Sequence, residues 1–158
     1  MSLAGKHILI TGSARRIGRA LALAVARQGG TVILHHGSSP REAEETRADI
    51  QQAGGRAHIL QADLRDLAQV PTLIKQALAF GPLYALVNNA AIFEPLSLSD
   101  TTLEDWQRNL AINLSAPFLL SQAFAAALPP GESGRIVNLL DWRALRPGAD
   151  HFPYTISK

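Results

Sequence analysis

Two residues near the end of the chain have the types and the spacing needed for proton transfer. Tyr154 and Lys158 are four residues apart, and side chains at that separation lie on one face of a helix. A free tyrosine has a pKa of about 10 and exchanges protons poorly at neutral pH, whereas a neighbouring ammonium favours the phenolate and lowers that pKa. We therefore expect Tyr154 to act as a general acid with Lys158 beside it.

A glycine-containing turn near the start of the chain has the features of an anion site. The segment from Thr11 to Gly18 follows a short apolar run and leads into a stretch rich in Ala and Leu. Glycine lets the backbone approach a ligand closely, and the free N–H groups and dipole at a helix start favour a phosphate. The alternative is an ordinary turn glycine at Gly12 and a packing glycine at Gly18, because the spacing is not the GxGxxG pattern.

The segment after the second apolar run bears on which dinucleotide this turn would hold. Sites for NAD place an Asp or Glu there, about 20 residues beyond the glycines, and that carboxylate repels a 2′-phosphate. Here the segment 35–39 reads His-His-Gly-Ser-Ser, without an acid. The hydroxyls of Ser38 and Ser39, with Arg15 or Arg16, are suited to a phosphate. The sequence thus predicts NADP(H), and the two histidines are alternatively a strand end exposed to solvent.

The first part of the chain is rich in positive charge. No Asp or Glu precedes Glu42. The basic residues of this stretch are Lys6, Arg15, Arg16, Arg19, Arg27 and Arg41. We expect a local positive field there, which suits a ligand that carries phosphate.

All these residues need a scaffold that brings strand ends together. Short β-rich runs alternate with longer helical ones, which indicates strand–helix–strand units and a parallel sheet. The predicted strands are 7–11, 31–36, 58–62, 83–88 and 135–140, and the predicted helices are 17–28, 40–53, 67–80 and 103–128, with a last helix that begins at Tyr154. Pro117 marks a kink or a break in the fourth helix. The predicted fold class is α/β with a doubly wound sheet, whose ligands bind beyond the carboxyl ends of the strands.

The composition limits the kinds of protein that this sequence can be. Its 158 residues, 47% apolar and 18% charged, suffice for one globular domain and not for two. A net charge of +2 gives no reason to expect a nucleic-acid or membrane partner. The absence of cysteine excludes disulfides and thiolate metal sites, and we predict no metal site. No run approaches the roughly 20 apolar residues that span a bilayer, so we expect a cytoplasmic protein.

Several motifs, in one order, resemble the short-chain dehydrogenase/reductase family along the whole chain. Thr11–Gly18 is similar to the family's TGxxxGxG turn, with Arg16 where the middle glycine usually stands. Asp63 matches the aspartate that contacts adenine, and residues 88–90, Asn-Asn-Ala, match the NNA segment. The resemblance implies one NAD(P)-binding domain over residues 1–158, with a Rossmann-type fold of three layers: helices, sheet and helices (αβα). The cofactor-binding residues that it implies are Gly12, Ser13, Arg15, Arg16, Ile17, Gly18, His36, Ser38, Ser39, Asp63, Leu64, Asn89, Ala90 and Ala91.

The resemblance also assigns catalytic roles to Asp141, Tyr154, Lys158 and Asn113. In the family, the tyrosine donates a proton to the substrate atom that becomes negative as hydride arrives, and the lysine lies under the nicotinamide ribose. The asparagine, here Asn113, keeps a water in a proton relay to the lysine. Asp141 lies thirteen residues before Tyr154, where these enzymes generally carry a catalytic serine.

Asp141 together with Arg16 is similar to the pteridine reductases of this family. In that subgroup the aspartate helps to protonate a ring nitrogen, and the arginine lies between the pyrophosphate and the substrate. A C=N bond takes hydride on carbon and a proton on nitrogen, so a carboxyl group with a raised pKa beside Tyr154 would be useful. The usual arginine of the subgroup is replaced by Ser38. Phe93 is either a stacking partner for a flat ring or part of the wall.

Other interpretations stay open. Asp141 is alternatively a loop cap in a general carbonyl reductase, for instance of 3-oxoacyl thioesters. A noncatalytic nucleotide-binding protein is the third hypothesis. In the first two, the partner is a small-molecule substrate.

The resemblance implies further chain as well. Members of the family continue with the rest of the Tyr154 helix, two more strands and a substrate lid. We therefore expect this sequence to be a segment, truncated at its C-terminus and doubtful as a catalyst by itself. Its fifth strand is expected to be an exposed sheet edge. In full-length form the family commonly makes homo-oligomers, so we expect a tetramer or dimer.

Overall fold

The computed structural model describes residues 2–158, in which strands and helices alternate. The strands are β1 His7–Ile10, β2 Thr31–His36, β3 Arg56–Gln61, β4 Leu83–Asn88 and β5 Arg135–Asn138. The helices are α1 Arg16–Arg27, α2 Pro40–Gln52, α3 Val70–Leu78, α4 Leu103–Leu110, α5 Ala116–Ala126 and α6 Phe152–Ser157. A π-helical turn, Ala111–Ser115, joins α4 to α5, and a short 3-10 helix, Trp142–Ala144, follows β5.

The five strands form one parallel sheet in the order β3-β2-β1-β4-β5. The chain builds outward from β1 to one edge, returns, and adds β4 and β5 on the other side. The order therefore reverses between β1 and β4, and the crevice beyond their carboxyl ends is where such sheets bind ligands. This confirms the predicted doubly wound sheet.

Alternate residues of the strands pack on opposite faces of the sheet. Ile8 and Ile10 of β1 lie in a core with Ile50 of α2, whereas Leu9 lies in a second core with Phe124 of α5. Each buried side chain of this size contributes about 1.5–3 kcal/mol relative to exposure. Helices on both faces make the three layers that the resemblance implies, and the two cores hold the strand ends rigidly in register.

The long helix predicted over 103–128 is divided in two. The π-helical turn Ala111–Ser115 separates α4 from α5, and the N–H of Ala116 donates to the carbonyl of Ala111, five residues earlier. Pro117 explains the change of register, because it has no N–H to donate to the carbonyl of Asn113, four residues before it. The segment stays helical from Leu103 to Ala126, and what accompanies Pro117 is a change of hydrogen-bond register on its N-terminal side.

Other helix ends differ from the prediction by a few residues. The helix predicted to begin at 67 begins at Val70, because the carbonyl of Asp66 accepts from Gln69 and Val70 in a separate turn. Pro71 then occupies the first turn of α3, where its missing N–H costs no helical bond. Likewise α6 begins at Phe152 instead of Tyr154. The bounds of β2 and β4 agree with the prediction.

The strand β5 lies at the sheet edge and is solvent-exposed along its whole length. Within residues 2–158 its one strand neighbour is β4. Large apolar side chains are exposed along and just after it, namely Ile136, Val137, Leu140, Trp142 and Leu145. The expected open edge is present in the structure. Across the described residues, none of the helices combines the length and apolarity that crossing a bilayer requires.

Candidate active site

A cleft of about 760 Å³ runs along the carboxyl ends of the strands. It extends from the residues after β2 and β3, past the glycine turn, to Tyr154. Nearly all the sequence-predicted cofactor residues line it, namely Gly12, Arg15, Arg16, Ile17, Gly18, His36, Ser38, Ser39, Asp63, Leu64, Asn89, Ala90 and Ala91. Ser13 of that set is buried beneath the turn instead of lining the cleft. The fold thus brings residues from four separate loops into one elongated depression.

The glycine turn is braced against the segment that follows β4. Gly12 has a φ of +64°, and a Cβ there would lie 2.9 Å from the Cα of Ala90, so only glycine fits. The side-chain amide of Asn89 donates to the carbonyls of Thr11 and Gly12, at 2.8 and 3.1 Å. The Thr11 hydroxyl accepts from the N–H groups of Asn89 and Ala90, each at 3.0 Å. These bonds fix the turn before any ligand arrives.

The start of α1 points from this turn into the cleft. A Cβ on Gly18 would lie 2.3 Å from the carbonyl oxygen of Gly12, so the missing side chain lets the helix begin close to the turn. Arg16, the first residue of α1, has a φ of +50°. That left-handed conformation normally favours glycine. Arg16 therefore keeps the backbone shape of the glycine that the family motif has at this position.

The two histidines at the end of β2 are not exposed, and the solvent-facing interpretation is wrong. His35 is 2% exposed and His36 is 5% exposed. The ring of His35 contacts the glycine turn on one side and Ala62 on the other. A strand inside a sheet with a helix layer over it leaves no room for a solvated side chain at this position. His36 lines the cleft, as expected for a residue near the ribose.

The residues at the predicted ribose end of the cleft carry hydroxyl, carboxylate and guanidinium groups. Ser39 precedes α2 but its side chain makes no capping hydrogen bond. The carboxylate of Asp63 accepts from the guanidinium of Arg65, at 2.6 Å for the shortest contact. That pairing, together with bonds from the Arg65 backbone, lowers the pKa of Asp63. Arg15 lies 4.0 Å from Glu42, with its side chain 61% exposed, so its charge is largely available.

Tyr154 and Asp141 meet at the other end of the cleft. The Tyr154 hydroxyl donates to the Asp141 carboxylate at 2.6 Å. Burial and this hydrogen bond raise the pKa of Tyr154, so the expected lowering is wrong for this arrangement. The N–H of Arg143 and the Tyr154 hydroxyl lower the pKa of Asp141, so the expected raised value is wrong as well. The pair holds one proton at neutral pH, and the phenol carries it.

Lys158 lies beside Tyr154, as the spacing predicts. Its ammonium is 5.7 Å from the centre of the Tyr154 ring and donates to the carbonyl of Leu139 at 2.6 Å. Burial lowers the pKa of Lys158, an effect that the Asp141 carboxylate partly opposes. Lys158 therefore supplies a positive charge beside Tyr154 while it remains protonated, a state that the Asp141 carboxylate favours electrostatically.

Asn113 joins the π-helical turn to the segment after β4. Its side chain accepts from the N–H of Ile92 at 2.9 Å and donates to the carbonyl of Ile92 at 3.1 Å. It also donates to the Ser157 hydroxyl at 2.9 Å. Asn113 thus contacts Ser157, the residue that precedes Lys158. Its contacts with these elements are structural, and the water relay that the resemblance implies stays a prediction.

An aromatic stack lies over Tyr154. The rings of Phe93 and His151 are parallel with centroids 3.7 Å apart, and Phe93 meets Tyr154 edge-on at 4.6 Å. The Arg143 guanidinium lies 5.6 Å from the Phe93 ring and binds Asp150 through two hydrogen bonds, at 2.9 and 3.1 Å. The loop before α6 therefore folds onto Phe93, which stays 51% exposed and lines the cleft.

Some residues of the site were not found from sequence. Glu94 and Arg108 line the cleft and are joined by two hydrogen bonds, at 2.9 and 3.0 Å. Asn109 donates to the same carboxylate at 2.9 Å. Nothing in the sequence pairs a residue after β4 with one on α4, because only the folded loop brings them together. Within residues 2–158, no group of three or more His, Cys, Asp or Glu side chains is placed to hold a metal ion.

Comparison with known proteins agrees with this geometry. A relative from Picea abies, a short-chain type dehydrogenase/reductase, is 34% identical over 99% of this chain and 61% of its own length. A 3-oxoacyl-[acyl-carrier-protein] reductase from Synechocystis is 34% identical over 99% of this chain and 64% of its own. The chain thus spans about three-fifths of the length of the curated relatives that it matches.

Solved structures show the same fold. FolM alternative dihydrofolate reductase 1 from Brucella canis, complexed with NADP, is 36% identical with a TM-score of 0.92, and the match covers 99% of this chain and 62% of that one. A short chain dehydrogenase from Burkholderia cenocepacia, in complex with NADP, is 40% identical with a TM-score of 0.93, and the match covers 100% and 64%. The family model described as short chain dehydrogenase matches residues 6–158. The chain belongs to the short-chain dehydrogenase/reductase family.

Proposed function

We propose that this chain is the cofactor-binding and proton-donating part of an NADPH-dependent reductase that transfers hydride to a C=N or C=O group, and that its substrate is a pterin or dihydropterin. The observation that carries the proposal is the 2.6 Å hydrogen bond between Tyr154 and Asp141. Tyr154 lies at one end of the cleft, which runs from there past the glycine turn. The residues of the cleft then divide into a phosphate-binding part and a proton-donating part.

The phosphate-binding part fits NADPH. The left-handed Gly12, packed on Ala90, leaves space where a pyrophosphate would rest against the start of α1. The next acid after β2 is Glu42, so no carboxylate directly follows Ser38 and Ser39 of the kind that repels a 2′-phosphate in NAD sites. The NADP in the solved relatives described above supports this choice.

The proton-donating part fits a reduction. NADPH, when bound, would supply the hydride for the carbon of the double bond, and the more electronegative atom would then need a proton from the protein. Tyr154 is the proposed donor of that proton, because it lines the cleft and its raised pKa keeps it protonated at neutral pH. The raised pKa also makes it a weak acid, so donation needs positive charge close to the phenol. Loss of the proton leaves a phenolate, which the nearby Lys158 ammonium stabilises.

The choice of a pterin rests on Asp141, which stands where the family generally has a serine and accepts the Tyr154 hydrogen bond. Its pKa is lowered, so it presents a carboxylate that accepts hydrogen bonds and has no proton to give. A pterin carries N–H groups next to its C=N bonds and can satisfy such an acceptor, whereas a 3-oxoacyl thioester has no N–H beside its ketone. Asp141 would then orient the ring instead of protonating it, which revises the role expected from sequence. Phe93, which is 51% exposed and lines the cleft, offers an aromatic contact to the same ring.

The test compares two substrates and one exchange in the intact protein. NADPH consumption is followed with a dihydropterin and with a 3-oxoacyl thioester, for the native protein and for Asp141→Ser. Loss of a charged hydrogen-bond partner is expected to lower kcat/KM for the dihydropterin about 10–100-fold and to leave thioester reduction equal or faster. Dihydropterin reduction that survives the exchange intact would remove the aspartate from the proposal.

The carbonyl reductase is kept as a second candidate because of the likeness to the Synechocystis reductase. It predicts turnover of the thioester and none of the dihydropterin. NADPH binding without turnover of either substrate would favour a noncatalytic protein. A cytoplasmic location and assembly as a tetramer or dimer are also part of the proposal, and sedimentation of the intact protein tests the assembly.

A further inference from the structure

The ring of His35 is enclosed between two loops and both of its nitrogens are used. Nδ1 lies 3.1 Å from the backbone nitrogen of Gly12, whose N–H points to it. Nε2 lies 3.1 Å from the carbonyl oxygen of Ala62, just beyond β3. A carbonyl can only accept, so Nε2 carries the hydrogen and Nδ1 is the acceptor. The two partners therefore define a single neutral tautomer.

The backbone of His35 holds the next residue of the same turn. Its N–H donates to the Ser13 hydroxyl at 3.0 Å, and its carbonyl accepts from the Ser13 N–H at 2.9 Å. Side chain and main chain of one residue thus bind two successive positions of the glycine turn. None of the roles assigned to the site so far uses these contacts.

These bonds decide which donors remain for a phosphate. The N–H groups of Gly12 and Ser13 are both directed into the protein, at His35. The N–H groups of the first turn of α1, from Arg16 onward, have no partner within the helix. An anion in the cleft therefore meets the helix start, and the turn beneath it acts as a support.

We propose that His35 is a positioning residue for the dinucleotide site: as the neutral Nε2–H tautomer it locks the left-handed Gly12 and so aims the start of α1 at the pyrophosphate. The inference rests on the proposed binding of NADP(H). Burial lowers the pKa of His35 to about 4, which keeps the ring neutral at the pH of cells. A protonated ring would point an N–H at the N–H of Gly12 and break the lock.

The test uses two exchanges that each keep one half of the ring's bonding. His35→Asn places an amide oxygen near the position of Nδ1 and keeps an acceptor for Gly12. His35→Gln places its terminal amide near the position of Nε2 and keeps a donor for Ala62. Each variant loses one hydrogen bond, so a purely structural role predicts equal effects. The positioning role predicts NADPH affinity close to native for the Asn variant and about tenfold weaker for the Gln variant.

Two measurements distinguish the possible failures. NADPH affinity is measured by fluorescence titration, with urea unfolding midpoints to show that both variants are folded. Equal affinities in two equally stable variants would overturn the role of His35. Nitrogen-15 NMR of the ligand-free native protein reports the tautomer directly, and a proton on Nδ1 would overturn the proposal even if a variant fails to fold. If the native protein binds no NADPH while His35 shows the Nε2–H tautomer, the proposed cofactor is wrong, whereas the proposed hydrogen bond from the Gly12 N–H to His35 is supported.

Discussion

At the scale of single residues, Arg16 keeps an unfavourable backbone conformation. Its φ of +50° is usual for glycine, and for other residues it costs about 1–2 kcal/mol. The side chain lies along the cleft next to the glycine turn. A residue that holds strain at such a place is expected to offset it through a contact with the ligand. The guanidinium of Arg16 is accordingly expected to bind the pyrophosphate or the substrate next to it.

Two substitutions of Arg16 separate the effect of its backbone strain from the effect of its guanidinium charge. Arg16→Ala removes the guanidinium and keeps the strained backbone, whereas Arg16→Gly removes both. We expect the Gly variant to exceed the Ala variant in free energy of unfolding by about 1 kcal/mol, the reverse of their order in an ordinary helix. Both are expected to bind NADPH roughly tenfold more weakly than the native protein. Urea titrations and cofactor fluorescence measure the two effects, and an Ala variant as stable as the Gly variant would show that no strain is stored there.

The directions of the pKa shifts of Tyr154 and Asp141 could not be predicted from sequence. The spacing of Tyr154 and Lys158 predicted correctly that they share a helix face. It could not show that a carboxylate from the loop after β5 would take the tyrosine's hydrogen bond, or that an N–H of the same loop would keep Asp141 ionised. Both directions depend on partners that only the folded loop supplies.

At the level of strands and helices, the succession of short β-rich runs and longer helical segments was sufficient to predict the sheet. Buried parallel strands read as short apolar runs, and β2 and β4 have the predicted bounds. Pro117 indicated a break, but the sequence did not show that the register changes into a π-helical turn at Ala111–Ser115. The burial of His35 was missed because its partners, Gly12 and Ala62, are 23 and 27 residues away along the chain. Polar residues at a strand end are predicted as exposed unless those loops are known to close over them.

The start of α1 lies so close to the glycine turn that Gly18 has no room for a side chain. In Gly18→Ala the new Cβ would meet the Gly12 carbonyl oxygen at 2.3 Å and the Asn89 side-chain nitrogen at 2.6 Å, so the helix must move away. We expect a loss of about 1–3 kcal/mol in the free energy of unfolding and a marked loss of NADPH affinity. The measurements are urea unfolding and cofactor titration.

Gly54→Ala is the matched control for that exchange. Gly54 has a φ of +78° and no atom within 4 Å of a Cβ placed on it, and it lies after α2, away from the cleft. Strain alone should lower its stability by about 1–2 kcal/mol with NADPH affinity unchanged. If both variants bound NADPH equally well, the contact between α1 and the turn would have no part in the site.

In the molecule as a whole, some basic residues of the first part of the chain pair with acidic residues of α2, and others line the cleft. The predicted positive field of the first part of the chain is partly neutralised by α2, because Arg19 pairs with Asp49 and Arg41 pairs with Glu45 at 3.7 Å. Arg16, and Arg15 at 4.0 Å from Glu42 with its side chain 61% exposed, line the cleft beside the glycine turn. A net charge of +2 therefore conceals a concentration of positive charge where phosphates are proposed to bind.

The open side of the sheet sets how the 158-residue polypeptide should behave when it is produced alone. Val137 lies on β5 and is 47% exposed, and Leu140 just beyond it is 73% exposed. A flat apolar edge with free backbone N–H and C=O groups pairs readily with another edge. We expect this polypeptide to associate as its concentration rises, which would be measured as growing light scattering. Val137→Lys places a charge on the edge and should reduce the association, whereas Phe80→Lys, on the far side of the molecule after α3, should not. A monomer at every concentration, or equal scattering from the two variants, would show that the association does not proceed through β5.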